Sequence, residues 1–128
     1  MKVLIVEDDR SIQMVLELVL SRMAKCEVIT AADGKEGLDK LKLHKPDVVL
    51  LDLMLPTMDG FEICQSAKAD DSTRHIPIIF LTAQPQPSSI TRAMSLGAIG
   101  YIIKPFDPLT LLNQINEALD KVQAPRLG

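Results

Sequence analysis

Five polar side chains that could take part in chemistry stand at the ends of short apolar runs. They belong to Glu7, Asp8, Asp52, Thr82 and Lys104. Carboxylates can hold a divalent cation, and one of them can accept a phosphoryl group as a nucleophile. A hydroxyl and an ammonium can then pair with the phosphoryl oxygens. The set therefore predicts an aspartyl-phosphate site, provided that the fold brings the five residues together.

The apolar runs themselves indicate strands of a parallel sheet. They cover residues 3–6, 28–30, 48–51, 76–81 and 101–103, and most of them show no polar alternation. Continuous apolar runs of this length are typical of strands that are buried on both faces.

Amphipathic stretches between the runs predict five helices. The clearest covers residues 11–24, and the weakest covers about 88–97. Asp33, Asp59 and Asp107 stand at the expected N-caps of the other three, and Glu36 is expected to complete a capping box with Asp33. The helix periodicity predicts these core-facing residues: Ile12, Val15, Leu16, Val19, Leu20, Met23, Leu38, Leu41, Phe61, Cys64, Ala67, Ile90, Ala93, Met94, Leu112, Ile115, Leu119 and Val122.

Five strand–helix pairs in 128 residues predict a single α/β domain with a three-layer, doubly wound parallel sheet. In such sheets ligands bind beyond the carboxyl ends of the strands, which is where the five polar residues stand. The second strand ends without such a residue and is expected at the sheet edge. We place the domain at residues 1–122 and interpret 123–128 as a C-terminal tail or linker remnant.

Composition argues against several other functions. The net charge is −3, with 14 basic and 17 acidic residues, and no basic patch favours nucleic acid or a membrane surface. The N-terminus resembles neither a signal peptide nor a spanning helix, so a cytoplasmic location is expected. Cys26 and Cys64 are interpreted as reduced structural thiols, and His44 and His75 as surface residues.

Five motifs agree in order and spacing with one protein family. They are V-E-D-D at 6–9, L-L-D-L-M-L-P at 50–56, D-G at 59–60, L-T-A at 81–83 and G-Y-I-I-K-P-F at 100–106. Through these motifs the chain resembles the response-regulator receiver domains of bacterial two-component signalling, over residues 1 to about 122. The resemblance implies a flavodoxin-like fold with the strand order 2-1-3-4-5.

The resemblance also implies how the acidic residues act. Asp52 would accept the phosphoryl group and bind Mg²⁺, with Asp8 as a direct ligand, Glu7 acting through water and Met54 through its backbone carbonyl. Unit charges about 4 Å apart repel by about 4 kcal/mol at an effective dielectric constant near 20, so three clustered carboxylates favour a cation. Asp9, by contrast, is interpreted as a helix cap.

Three further residues receive roles through the resemblance. Thr82 and Lys104 would contact the phosphoryl group, and Tyr101 would turn inward when Thr82 moves. The Lys104–Pro105 peptide bond would be cis. For Tyr101, a half-buried aromatic ring with its hydroxyl at the surface stays open as an alternative.

The implied partners are proteins, and the implied role is that of a signalling phosphoacceptor rather than an enzyme with a separate substrate. A sensor histidine kinase or a histidine phosphotransfer protein would donate the phosphoryl group. A downstream protein would bind the fourth helix, fifth strand and fifth helix, at about residues 88–122, and a phosphorylation-dependent homodimer is a further option. Two alternatives remain: an interaction module that is not phosphorylated, and a flavodoxin-like cofactor binder, which would need a phosphate-cradling loop where this chain is acidic.

The chain also departs from the family pattern. Residues 98–100 read Ala-Ile-Gly where many relatives carry an acid pair, and Ile103 stands where a threonine is common. The resulting apolar stretch indicates either a protein docking surface or local packing. Met54 and Gln84 occupy positions that vary in the family and that tune the lifetime of the phosphoryl group.

Overall fold

The computed structural model describes residues 1–83 and 85–128, so that Gln84 and its predicted role lie outside the described residues. Strands and helices alternate along the chain. They are β1 (Lys2–Val6), α1 (Arg10–Arg22), β2 (Glu27–Ala31), α2 (Gly34–His44), β3 (Val48–Asp52), α3 (Gly60–Ala69), β4 (Ile78–Thr82), α4 (Pro87–Ser95), β5 (Gly100–Ile103) and α5 (Pro108–Lys121). The predicted α/β class and all ten predicted elements are confirmed.

The strands form one parallel sheet in the order β2-β1-β3-β4-β5. The predicted order and the edge position of β2 are therefore confirmed. Val6 of β1 pairs with Leu51 of β3, and Asp52 pairs with Leu81 of β4. This register brings the carboxyl ends of the three central strands side by side, which is the condition for a shared site.

Two hydrophobic cores hold the layers together, one on each face of the sheet. Side chains alternate between the faces along each strand. In β1, Val3 and Ile5 join the core that includes residues of α1 and α5, whereas Leu4 and Val6 join the core that includes residues of α2, α3 and α4. The doubly wound, three-layer arrangement follows from this division.

Some residues that were predicted to face the core are exposed. They are Val15, Met23, Met94 and Val122. A helix that packs on a sheet buries a stripe of only three to four residues per two turns, so residues at the margin of a wide apolar stripe stay outside it. In α5 the buried stripe includes Leu111, which the periodicity did not single out.

Aspartates begin most of the helices, as predicted. Asp9, Asp33, Asp59 and Asp107 each accept a backbone N–H of the following first turn at 2.9 Å. These contacts satisfy donors that have no partner inside a helix. In the predicted capping box of α2, the cap by Asp33 is confirmed. The part predicted for the Glu36 side chain is wrong, because its carboxylate pairs with Lys40 Nζ at 3.0 Å.

Residues 123–128 contain no helix or strand, yet they pack against the domain. Leu127 is buried in the core beside α1 and α5. The Asn116 amide donates to Leu127 O at 3.0 Å, and its Oδ1 accepts from Leu127 N at 2.7 Å.

Both cysteines are buried and free, and burial raises the pKa of each thiol. This agrees with the predicted structural role of Cys26 and Cys64. Of the two histidines, His75 is exposed and His44 is half-buried. Within the described part of the chain, no helix has both the length and the apolar character needed to cross a membrane.

Candidate functional site

The five polar residues at the strand ends line one cleft. The cleft has a volume of about 1040 Å³ and opens at the carboxyl edge of the sheet. Asp52 is 5% exposed, Glu7 and Thr82 are also buried, and Asp8 is exposed. The fold thus brings together the side chains that the sequence predicted to share a site.

Lys104 connects two of the carboxylates. Its Nζ lies 2.5 Å from Glu7 Oε1 and 3.0 Å from Asp52 Oδ2. Its backbone N–H donates to Thr82 O at 2.7 Å, which ties the end of β5 to the end of β4. The Lys104–Pro105 peptide bond is cis, as the resemblance implied.

Backbone N–H groups orient the same two carboxylates from the other side. Glu7 Oε2 accepts from Asp9 N at 3.1 Å, and Asp52 Oδ1 accepts from Met54 N at 3.2 Å. Each carboxylate is therefore held between the ammonium and the N–H group two residues further along the chain.

The charge balance of the buried groups favours an additional cation. The pKa of Glu7 is raised to about 7, chiefly by burial and also by the neighbouring Asp52, although Lys104 and the Asp9 N–H favour the ionised form. Burial lowers the pKa of the Lys104 ammonium, but its contacts with Glu7 and Asp52 outweigh burial and raise the pKa overall. The single ammonium of Lys104 is thus shared by Glu7 and Asp52, whose carboxylates repel each other, and this arrangement favours a further positive charge.

The acidic cluster has the composition of a site for a hard cation. Glu7, Asp8 and Asp52 each offer one carboxylate oxygen, and these oxygens lie within 4.8 Å of one another. Glu7 Oε1 is buried and, among the described residues, has an ionic contact but no hydrogen bond. Mg²⁺ prefers a few carboxylates together with retained waters, and the exposed Asp8 leaves one side of the cluster open to solvent.

Tyr101 lies apart from this cluster. It is 42% exposed and lines a second depression, of about 650 Å³, together with Met94 and Ile103. This exposure is closer to the alternative, a half-buried ring with its hydroxyl at the surface, than to a ring turned inward. Its role as an inward-turning relay stays a prediction.

Two contributors to the site were not predicted. Gln13 is buried on α1, and its Nε2 donates to Glu7 O at 3.2 Å and to Ala31 O at 3.4 Å. Phe61 lines the cleft and lies under Arg92, whose Cζ is 4.2 Å from the ring centroid. For Gln13 a signal exists in the sequence, because this amide stands three residues before Leu16, on the apolar stripe of α1.

Comparison with known proteins identifies the family. A model of the response regulator receiver domain matches residues 3–116. The chain belongs to this family. Receiver domains of response regulators are signalling proteins of two-component systems, which confirms the resemblance found in the motifs.

Curated relatives and solved structures agree with this assignment. The chain is 40% identical over 127 residues to the probable transcriptional regulator ycf27 of Cyanophora paradoxa, covering 99% of this chain and 52% of that protein. It is 41% identical over 118 residues to the response regulator ArlR of Staphylococcus aureus (strain MW2), covering 92% and 52%. The chain spans about half the length of the curated relatives it matches.

The fold has a solved counterpart of nearly the same length. The chemotaxis protein CheY4 of Vibrio cholerae superimposes with a TM-score of 0.85 and 36% sequence identity, covering 92% of this chain and 98% of that one. The receiver fold, with its flavodoxin-like sheet, is therefore shared over almost the whole chain.

Proposed function

We propose that Asp52 accepts a phosphoryl group in a Mg²⁺-dependent transfer from a phosphohistidine. The donor would be a sensor histidine kinase or a histidine phosphotransfer protein, and the exchange would take place in the cytoplasm. The observation that carries the proposal is the setting of Asp52. This carboxylate ends a buried strand, contacts Lys104 Nζ at 3.0 Å and lies within the acidic cluster.

Asp52 suits the role of nucleophile better than its two neighbours. The Glu7 side chain is fully buried and pairs with Lys104, so an incoming donor has little access to it. Asp8 is exposed, which suits a cation ligand whose remaining positions are filled by water. Asp52 stands between these extremes and faces the cleft.

The proposed reaction is a phosphoryl transfer between two side chains. An oxygen of Asp52 forms the new bond to phosphorus while the bond from phosphorus to the donor's imidazole nitrogen breaks. Glu7, Asp8, Asp52 and the Met54 carbonyl would hold Mg²⁺, which, when bound, neutralises charge on the phosphoryl oxygens. Lys104 and Thr82 line the same cleft and would contact those oxygens after transfer.

The proposed switch follows from the change in charge. Phosphorylation adds about −1.5 to −2 charges by analogy with other phosphorylated side chains, which would draw the Lys104 ammonium away from Glu7. Thr82 ends β4 and Lys104 directly follows β5, so their movement would act on α4, β5 and α5. Turning such a surface from mostly inactive to mostly active requires about 5.5 kcal/mol in favour of the active state.

The surface that would change is partly apolar, which supports a protein partner. Ile103 is 46% exposed, and Met94 and Tyr101 are exposed near it. Ala98, by contrast, is buried. The apolar stretch that departs from the family pattern therefore packs against the core at Ala98 and contributes to the surface at Ile103. A downstream protein, or a second phosphorylated copy of the chain, would bind this face.

The proposal is tested by incubating the protein with Mg²⁺ and acetyl phosphate and measuring its intact mass. The wild type should gain the mass of one phosphoryl group, whereas Asp52→Asn, or wild type with excess chelator, should gain none. Asp9→Asn is the matched control, because asparagine also caps helices and the gain should persist. A wild type that stays unmodified would favour the alternative of an interaction module that is not phosphorylated, and an equal gain in Asp52→Asn would exclude Asp52 as the acceptor.

A further inference from the structure

The loop that joins β3 to α3 rests on the N-terminus of α2. We call this loop, residues 53–59, the acceptor loop because it follows Asp52. Gly34 N donates to Pro56 O at 3.0 Å. Lys35 N donates to the Thr57 hydroxyl oxygen at 3.1 Å. The first N–H groups of a helix have no partner within it, so the acceptor loop satisfies two of these donors in α2.

Thr57 holds this contact in a strained conformation. Its φ is 67°, in the left-handed region that β-branched residues rarely adopt. Such a conformation is unfavourable for a β-branched residue and persists only where surrounding contacts enforce it. Here the Thr57 hydroxyl donates to Asp33 Oδ1 at 3.4 Å, and the same oxygen caps α2 by accepting Glu36 N at 2.9 Å.

The fit between the acceptor loop and α2 is close. A Cβ atom at Gly34 would lie 1.8 Å from Met58 O, so only glycine allows the loop to reach this position. At the far end of the loop, Gly60 N donates to Leu53 O at 3.0 Å. The acceptor loop is therefore held both by α2 and by its own ends.

The position of the acceptor loop affects the acidic cluster through Met54. Met54 N donates to Asp52 Oδ1 at 3.2 Å and so orients the carboxylate of the proposed acceptor. The backbone carbonyl of Met54 is the proposed fourth ligand of the cation. A shift of the loop would displace both groups together.

We infer that Thr57 is a positioning residue for the cation site. By binding the N-terminus of α2 with its hydroxyl, Thr57 keeps the acceptor loop where the Met54 N–H meets Asp52. The same position of the loop would let the Met54 carbonyl reach a bound cation. Among the described residues, the Thr57 hydroxyl is hydrogen-bonded to Lys35 and Asp33 and to none of the proposed cation ligands. This inference rests on the proposed function, because it concerns the same Mg²⁺ site.

The test compares three substitutions of Thr57 by titration calorimetry with Mg²⁺. Thr57→Ala, which lacks the hydroxyl, should bind Mg²⁺ about tenfold more weakly, the lower end of the effect of residues that orient metal ligands. Thr57→Ser keeps the hydroxyl and should retain the wild-type affinity. Thr57→Gly lacks the hydroxyl but tolerates a positive φ, so it should fold well and still bind Mg²⁺ more weakly.

Phosphorylation kinetics separate positioning from general stability. With Thr57→Ala, the rate of phosphorylation by acetyl phosphate should fall at low Mg²⁺ and return to the wild-type rate when Mg²⁺ saturates the site. Ser72→Ala is the matched control, because it removes an exposed hydroxyl that contacts Asp70 Oδ1 at 2.8 Å in the loop between α3 and β4. Ser72→Ala should leave Mg²⁺ affinity unchanged.

The outcomes distinguish this inference from the proposed function. Wild-type Mg²⁺ affinity in Thr57→Ala or Thr57→Gly would overturn the positioning role alone. So would a Thr57→Ser variant as weak as Thr57→Ala, since the hydroxyl would then not be responsible. A wild-type protein that neither binds Mg²⁺ nor becomes phosphorylated would overturn the proposed function and this inference with it.

Discussion

Replacing Leu127 by alanine should destabilise the domain although this residue stands next to the end of the chain. Leu127 is 1% exposed and belongs to the same buried cluster as Leu20, Ala24 and Leu119. Asn116 binds both the N–H and the carbonyl of Leu127, so the side chain enters the core at a defined position.

The expected cost follows from the size of the hole. Leucine-to-alanine changes in protein cores cost about 2–5 kcal/mol, depending on how far the surroundings can relax. The segment 123–128 contains no regular element and can adjust, so we expect a value near the lower end, about 2–3 kcal/mol. The two hydrogen bonds to Asn116 use backbone atoms of Leu127 and should survive the substitution.

Urea denaturation followed by far-ultraviolet circular dichroism measures this cost, since the chain has no tryptophan. Val122→Ala is the matched control, because Val122 is 49% exposed and its truncation should change the free energy of unfolding by less than about 0.5 kcal/mol. A Leu127→Ala variant as stable as Val122→Ala would refute the packing of the C-terminal segment. It would also support a folded unit that ends at residue 122, the boundary predicted from the sequence.

Two further predictions concern the buried charges. Because the pKa of Glu7 is raised to about 7, protons compete with Mg²⁺ below that pH, and the affinity for Mg²⁺ should rise by up to about 30-fold between pH 5.5 and 8. Titration calorimetry should show that the Mg²⁺ affinity of Glu7→Gln does not depend on pH. A wild-type Mg²⁺ affinity that is independent of pH would contradict the raised pKa of Glu7. Lys104→Met leaves Glu7 and Asp52 without their ammonium, so at pH 8 it should lower the free energy of unfolding by about 3–5 kcal/mol in urea without Mg²⁺. Saturating Mg²⁺ should restore part of that loss, and a variant of wild-type stability would show that the ion pairs contribute little.

The sheet and the grouping of the site residues could be predicted because both follow from local patterns. Continuous apolar runs predicted the buried strands, and in a parallel sheet all strands end at one edge. Asp52, Thr82 and Lys104 are therefore neighbours in space although they are far apart in sequence. The helix caps could be predicted for the same reason, since a cap contacts only the next few residues.

The missed features depend on contacts between distant parts of the chain. Val15 and Leu127 show this in opposite directions. Val15 continues an apolar stripe and is nevertheless exposed, whereas Leu127 stands alone between polar and glycine residues and is buried. Thr57 adopts its left-handed conformation beside α2, 22 residues from its partner Lys35, and no local pattern indicates that contact.

The most direct test of Asp52 as the phosphoacceptor is to locate the modified side chain. After incubation with Mg²⁺ and acetyl phosphate, borohydride reduces an aspartyl phosphate to homoserine, which peptide mass spectrometry can assign to one position. We predict homoserine at position 52, with Glu7, Asp8 and Asp9 unchanged. Modification at Asp8 with Asp52 unchanged, or no homoserine in a protein that has gained phosphoryl mass, would contradict the central claim.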